Sequence, residues 1–288
     1  MIIDTHAHLN FNAFQKDAGE VIRRSLESGV WVINVGTGYT TSLRAKDLAQ
    51  KYAEGVYGAV GLHPINLETG LVKIKTDPEE TELETCEEKF DYAKYKDLAG
   101  SPKVVAIGEI GLDYFRRPKG AAKSAEFKKR QEEILISQLG LAQDLGLPVI
   151  FHCRMAHDDL LRILASRPAV RGVIHCFTGN REQARQYLAM GFYLGLNGII
   201  FKQAPGLPDY GEMIQETALE KILVETDCPY LTPPLSAEVG GQAQGRNEPV
   251  YIKYVIQKIA ATKKMSVDET AAQTTLNART VFNIQKKA

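Results

Sequence analysis

Short apolar runs rich in Val and Ile recur along the whole chain. They lie at Ile2–His8, Val30–Gly36, Val56–Leu62, Val104–Ile110, Pro148–His152, Gly172–Cys176, Tyr193–Ile199 and Ile222–Thr226. Segments of helical periodicity separate them. The clearest runs from about Ala122 to Leu145, with Phe127, Leu135, Leu139 and Ala142 at helical spacing and Lys128, Lys129, Arg130, Glu132 and Glu133 on other faces. Gly146-Leu147-Pro148 stops that helix and opens the next strand. Strands alternating with helices mean βαβ units and a parallel sheet. Eight such units in about 250 residues predict a single-domain α/β fold, a closed (β/α)8 barrel of the TIM type. An open doubly wound sheet is the rival that periodicity leaves standing.

One stretch breaks the rhythm. Between the third and fourth strands, about residues 66–101, lies an insertion containing the acidic run Asp77–Asp91, with eight carboxylates and one lysine. Pro78 to Asp97 reads as a helix with an extra loop before it. Downstream, Phe115–Arg130 carries seven basic residues and one acidic. Both are first of all solvated surface.

Across all 288 residues the 35 Lys+Arg balance 35 Asp+Glu, and 44% of residues are hydrophobic. That content supplies a large core and excludes disorder. Neutrality excludes binding to nucleic acid by bulk charge but not capture of phosphate by a few local groups. Cys86, Cys153, Cys176 and Cys228 form no CxxC pair. With no signal peptide and no long apolar span, the expectation is a cytoplasmic protein with reduced thiols, no membrane contact and no obligate protein partner.

Candidate ligands gather where the predicted strands end: His6 and His8, His63, Glu109, His152, His175 and Asp227. Strand ends of a barrel converge on its C-terminal face, where active sites are built. Five of the six histidines obey the rule. By strand alternation His6 and His8 share a side, as chelation of one ion requires. The same alternation turns Cys153, Cys176 and Cys228 away, as buried small hydrophobes. The six of these without His63 exceed one tetrahedral ion and suit two divalent ions sharing a carboxylate, with Zn, Mn, Ni or Co matching the mixed donors and Mg the oxygen-richer position.

The motifs Asp4-Thr5-His6-Ala7-His8-Leu9, Gly61-Leu62-His63-Pro64, Gly108-Glu109-Ile110-Gly111-Leu112-Asp113-Tyr114, His175-Cys176-Phe177-Thr178-Gly179, Glu225-Thr226-Asp227-Cys228-Pro229-Tyr230-Leu231 and Arg246-Asn247-Glu248-Pro249 resemble those of the TatD family, metal-dependent deoxyribonucleases of the amidohydrolase superfamily. The resemblance implies a distorted barrel with a two-metal centre. It places His6, His8, Glu109 and Asp227 on one ion and Glu109, His152 and His175 on the other. Glu109 bridges, and Asp227 also takes the proton of the nucleophilic water. It implies 3′ to 5′ trimming of DNA, single-stranded or entered from an end.

Further positions have two readings each. His63 contacts a phosphate oxygen or a third ion, or is a hydrogen-bonded loop residue. Arg154, two after His152, contacts phosphate or pairs at the rim. Glu225, two before Asp227, holds a third ion or orients a ligand histidine. Arg246 and Asn247 close over substrate or lock a loop. Asp113 and Tyr114 take substrate or supporting roles, and His157 a surface or capping one. The insertion lies beside the predicted site mouth, where its acidity affects substrate choice. The alternative activity on the same barrel is hydrolysis of small amides, lactones or aminoacyl esters. A catalytically idle binding protein is the third reading, and the full ligand set weighs against it.

Overall fold

The computed structural model describes residues 1–72, 77–81, 87–167, 170–234 and 245–285. Eight parallel strands follow one another in the order of the chain. They are β1 Ile2–Ala7, β2 Val30–Val35, β3 Val56–Val60, β4 Val104–Asp113, β5 Val149–Arg154, β6 Gly172–Ile174, β7 Tyr193–Leu196 and β8 Ile222–Val224. The helices between and after them are α1 Ala18–Glu27, α2 Tyr39–Gln50, α3 Tyr92–Ala99, α4 Ala121–Leu145, α5 His157–Ala165, α6 Arg181–Ala189, α7 Tyr210–Glu216, α8 Ile252–Lys263 and α9 Val267–Phe282. The sheet curls until its first and last strands meet. That closure lies just past β8: His8 donates its amide to the Cys228 carbonyl (2.9 Å) and Asp227 donates to the His6 carbonyl (2.8 Å). The eight-unit expectation holds, and the open-sheet rival falls.

Ile3, Ile33, Ala59, Ala106, Ile150, Val173 and Leu223, one from each of seven strands, form one buried cluster with Ala278, Val281 and Phe282 of α9. The barrel is therefore filled, and α9 stoppers its lower end. Asn277 fixes the stopper there by donating its side-chain amide to the carbonyls of Leu219 and Ile222, at the start of β8. The larger cluster lies between strands and helices. With the bottom sealed, the mouth at the C-terminal ends of the strands is left for chemistry.

The helix expected over 78–97 is corrected. Residues 78–80 form a turn, 82–86 lie outside the described residues, and the helix begins only at Tyr92, where Asp91 accepts the Lys94 amide as N-cap. Residues 77–81 instead lie along the loop after β1. Asn12 and Ala13 donate amides to the Glu80 and Glu79 carbonyls at 3.1 and 2.8 Å. Chain paired to a neighbouring loop has no need of helical hydrogen bonds.

Candidate metal centre

In β1 and β4 the pairing register slips, between Asp4 and Ala7 and between Ile107 and Ile110. A slip exchanges the inward and outward parity of a strand. Ile3 and Ala106 fill the barrel before the slips, and His6 and Glu109, of opposite parity to them, face its mouth after. β5 has no slip within it, so His152 stays on the side of Ile150. Gly111 is required where β4 crowds β5: a Cβ there would collide with the His152 carbonyl, and its φ is +152°.

The ligands meet at the mouth of a cavity of about 700 Å³. His6 Nε2 lies 3.1 Å from His8 Nε2, 3.3 Å from Glu109 Oε2 and 3.8 Å from Asp227 Oδ1. His8 Nε2 lies 3.4 Å from Asp227 Oδ1. On the other side of the same carboxylate, Glu109 Oε1 is 2.8 Å from His152 Nδ1, 3.5 Å from His63 Nε2 and 3.9 Å from His175 Nε2. His175 Nε2 is also 3.7 Å from Asp227. Three trios have ligand atoms within 4.8 Å of one another: His6, His8 and Glu109; His6, His175 and Asp227; His63, Glu109 and His152. All six expected ligands are thus brought together, and Glu109 stands between two groups of them.

The donor set fits a cation. His8 Nδ1 is 2.8 Å from the Val35 carbonyl, which only accepts, so Nδ1 carries a hydrogen and in the neutral ring Nε2 turns a lone pair to the centre; without a cation, and against burial, Asp227 raises the His8 pKa. His152 Nε2 faces Asp113 Oδ2 at 3.1 Å and His175 Nδ1 faces Glu225 Oε1 at 2.9 Å. Such backing acceptors orient metal-binding imidazoles and raise their basicity. Glu225 is fully buried, held by the Cys176 amide (2.7 Å) and the Asn197 side chain (3.1 Å). A Cβ on Gly195 would come within 2.6 Å of its carboxylate, so the glycine makes its space. His63 differs. Its Nδ1 accepts the Ile65 amide at 3.0 Å, so in the neutral ring Nε2 carries the proton and donates, although distance alone would group it with the ligands.

Without a cation, protons hold the cluster together. Burial depresses the His152 pKa, but its hydrogen bonds to Asp113 and Glu109 outweigh that and lift it to about 9. Burial likewise opposes, and Glu225 and Asp227 overcome, the protonation of His175, which rises to about 10. His6, buried and beside His175, falls to about 4. Glu109 and Asp227 are pulled down against burial by the surrounding histidines, so both are carboxylates.

The remaining expectations divide. Arg154 lines the cavity, its guanidinium 3.7 Å above the Phe115 ring. Tyr114 is buried outside the cavity lining with Lys128 over its ring, so its substrate-contact reading is corrected: β4 runs three residues past its expected end and carries Tyr114 into the layer of α4. Arg246 is corrected too. It pairs with Asp17 and Glu248, donates to the Ala13 carbonyl and stacks on Phe14, which makes it a lock between loops. Asn247, bonded to the Thr226 and Tyr230 carbonyls, does the same. Cys228 is buried as expected; Cys153, though buried, is among the residues lining the cavity, and so is Cys176, because β6 ends at Ile174 and Cys176 adopts φ 44°. Cys86 lies outside the described residues. His157 is buried against Phe177 and Tyr187 rather than exposed. Asp4 went unnoticed in the sequence: it accepts the Thr226 amide and hydroxyl and the His6 amide, tying the two ligand-bearing segments together.

The family model of the TatD-related DNases matches residues 3–283. The chain belongs to that family. It is a metal-dependent hydrolase, as its class requires. The chain is 38% identical over 291 residues to the uncharacterized metal-dependent hydrolase YabD of Bacillus subtilis, covering 99% of this chain and 100% of that one. It is 33% identical over 288 residues to the 3′-5′ ssDNA/RNA exonuclease TatD of Erwinia amylovora, covering 98% and 100%. Among solved structures, the TatD homolog YJJV of Escherichia coli aligns over 99% of this chain and 98% of its own, with a TM-score of 0.78 at 30% identity.

Proposed function

We propose that this TatD-family chain is an exonuclease that trims single-stranded DNA in the 3′ to 5′ direction with two divalent ions. The observation that carries the reading is Glu109, whose two oxygens face His6 and His152 on opposite sides. One ion would be held by His6, His8, Glu109 and Asp227, the other by Glu109, His152 and His175, with Zn, Mn, Ni, Co or Mg as candidates. Such ions supply charge neutralisation at the scissile phosphate and acidify water.

The side chains then have distinct tasks. Asp227 accepts the proton of the attacking water as its oxygen bonds to phosphorus. The bond from phosphorus to the leaving oxygen breaks, and that oxygen takes a proton from solvent. His63 donates Nε2–H to a phosphate oxygen. Asp113 and Glu225 hold His152 and His175. The contacts of Glu225 all fall on Oε1, and we assign it to orienting His175 rather than to a third ion.

Arg116, Arg154 and Lys202 line the cavity and have no carboxylate partner among the described residues. Three unpaired cations favour an anionic strand over a neutral amide, lactone or ester. Among the described residues no helix is long and apolar enough to cross a membrane, and the cytoplasm is the compartment we assign. The test is hydrolysis of single-stranded DNA, RNA and a small-ester panel by metal-loaded and chelator-treated protein. Metal-dependent release of nucleotides from a 3′ end is expected. Undiminished hydrolysis in excess chelator, or ester turnover without nucleotide release, overturns the reading.

A further inference from the structure

We infer that Phe115, backed by Arg154, is a stacking platform for an unpaired base next to the scissile phosphate. This rests on the nuclease reading and specifies its substrate: a strand with a free, unstacked base at that position.

The ring is built to be presented. Phe115 is 53% exposed, beside a charged cavity. One face is covered by the Arg154 guanidinium, 3.7 Å from the ring centre. A planar cation against one face holds the ring in orientation and adds its own attraction to the π-system. An isolated exposed phenylalanine on a mobile tip would say little. This one is fixed where the chain leaves β4. Its own amide donates to Asp113 Oδ1 at 2.8 Å, and the Tyr114 amide donates to the Arg154 carbonyl at 3.0 Å.

Those bonds also tie the platform to the centre. Asp113 uses its other oxygen on His152. The Phe115 backbone is therefore two hydrogen bonds from His152. Arg116 lines the cavity and Arg154 lines it too, so cations flank the ring where a phosphate backbone would pass. Part of the cavity lining is anionic. Asp77, held by the Tyr230 hydroxyl at 2.9 Å, and Glu80, held by the side chains of Thr37 and Asn66, belong to it. A strand is repelled from those carboxylates and drawn toward Arg116 and Arg154, the cations beside Phe115. A base inside a duplex has both faces stacked on its neighbours, so an unpaired, unstacked base gains most from the ring.

The test compares metal-loaded wild type, Phe115→Ala and Phe115→Trp. The substrates are two single-stranded oligonucleotides, one normal and one with a single abasic nucleotide beside the terminal phosphodiester. Base–aromatic stacking predicts that Phe115→Ala raises KM for the normal strand roughly ten-fold, with kcat changing far less. Wild type favours the normal over the abasic strand, Phe115→Ala treats them alike, and Phe115→Trp restores the preference. If wild type degrades the normal strand and Phe115→Ala matches it on both substrates, the platform is wrong and the nuclease reading stands. If loaded wild type degrades neither strand, the nuclease reading fails and the platform falls with it.

Discussion

Metal loading should expel two protons and grow steeply tighter with pH. In the metal-free centre His152 and His175 titrate near 9 and near 10, because Glu109, Asp113, Glu225 and Asp227 surround them. Both are imidazolium at neutral pH, and only a neutral imidazole can ligate. Full loading at pH 7–8 therefore releases about two protons per chain from this pair, besides what His8, whose pKa is also raised, adds. Its overall equilibrium constant rises about 100-fold per pH unit, worth about 2.7 kcal/mol, until pH approaches 9. The effect on stability has the opposite sign. A histidine whose folded pKa lies above its unfolded value of 6.5 stabilises fully below pH 6.5, and that contribution is lost as pH climbs through 9 and 10. Metal-free protein should melt lower at pH 9 than at pH 6.5, whereas added metal should protect it more at pH 9. The assay is calorimetric titration of chelator-stripped protein with Mn²⁺ at pH 7 and pH 8, in two buffers of different ionisation enthalpy. Release of less than about half a proton per chain, with one affinity at both pH values, would refute the protonated pair.

Three substitutions probe the rest of the centre. Glu109→Gln removes the charge shared by both ligand groups, and we expect roughly a thousand-fold loss of turnover, about 4 kcal/mol, with bound metal falling by elemental analysis. Glu225→Gln leaves His175 without its anionic partner; metal affinity should fall about 10- to 100-fold, and an unchanged affinity would show that the buried carboxylate plays no part in holding the histidine. Arg246→Ala should cost about 1 kcal/mol in denaturant melts, since its ion pairs are partly exposed, while KM for an oligonucleotide stays within about two-fold; a larger KM effect would return Arg246 to the substrate.

How much of this is legible without coordinates depends on what each argument consumed. Strand ends in a barrel converge whatever the details, so the meeting of His6, His8, His63, Glu109, His152, His175 and Asp227 at one mouth was legible from position alone. Arguments from side-chain direction fared unevenly. His6 and His8 do face one centre, yet they reach it only because β1 slips register, and no sequence signal marks that slip. Cys176 escaped the alternation because β6 stops two residues before it. Tyr114 and Arg246 sit in motifs that carry the family resemblance and are not among the residues lining the cavity of the centre: a motif records that a residue is near the site in the chain, not where it points. Asp4 shows the converse, a carboxylate without a reaction to perform that holds together the strands carrying His6 and Asp227.

His63 marks the limit of reasoning by distance even with coordinates. By separation it belongs with Glu109 and His152, as good a trio as the other two. The deciding fact is one hydrogen bond on the far side of its ring, from the Ile65 amide to Nδ1. A neutral histidine that accepts at one nitrogen must donate at the other. His8 is the mirror case, donating outward to Val35 and leaving Nε2 bare. Two histidines lining one cavity are thus set to opposite tasks by their outer contacts, one to give electrons to a cation and one to give a hydrogen bond to an anion. A phosphodiester beside divalent ions asks for both at once.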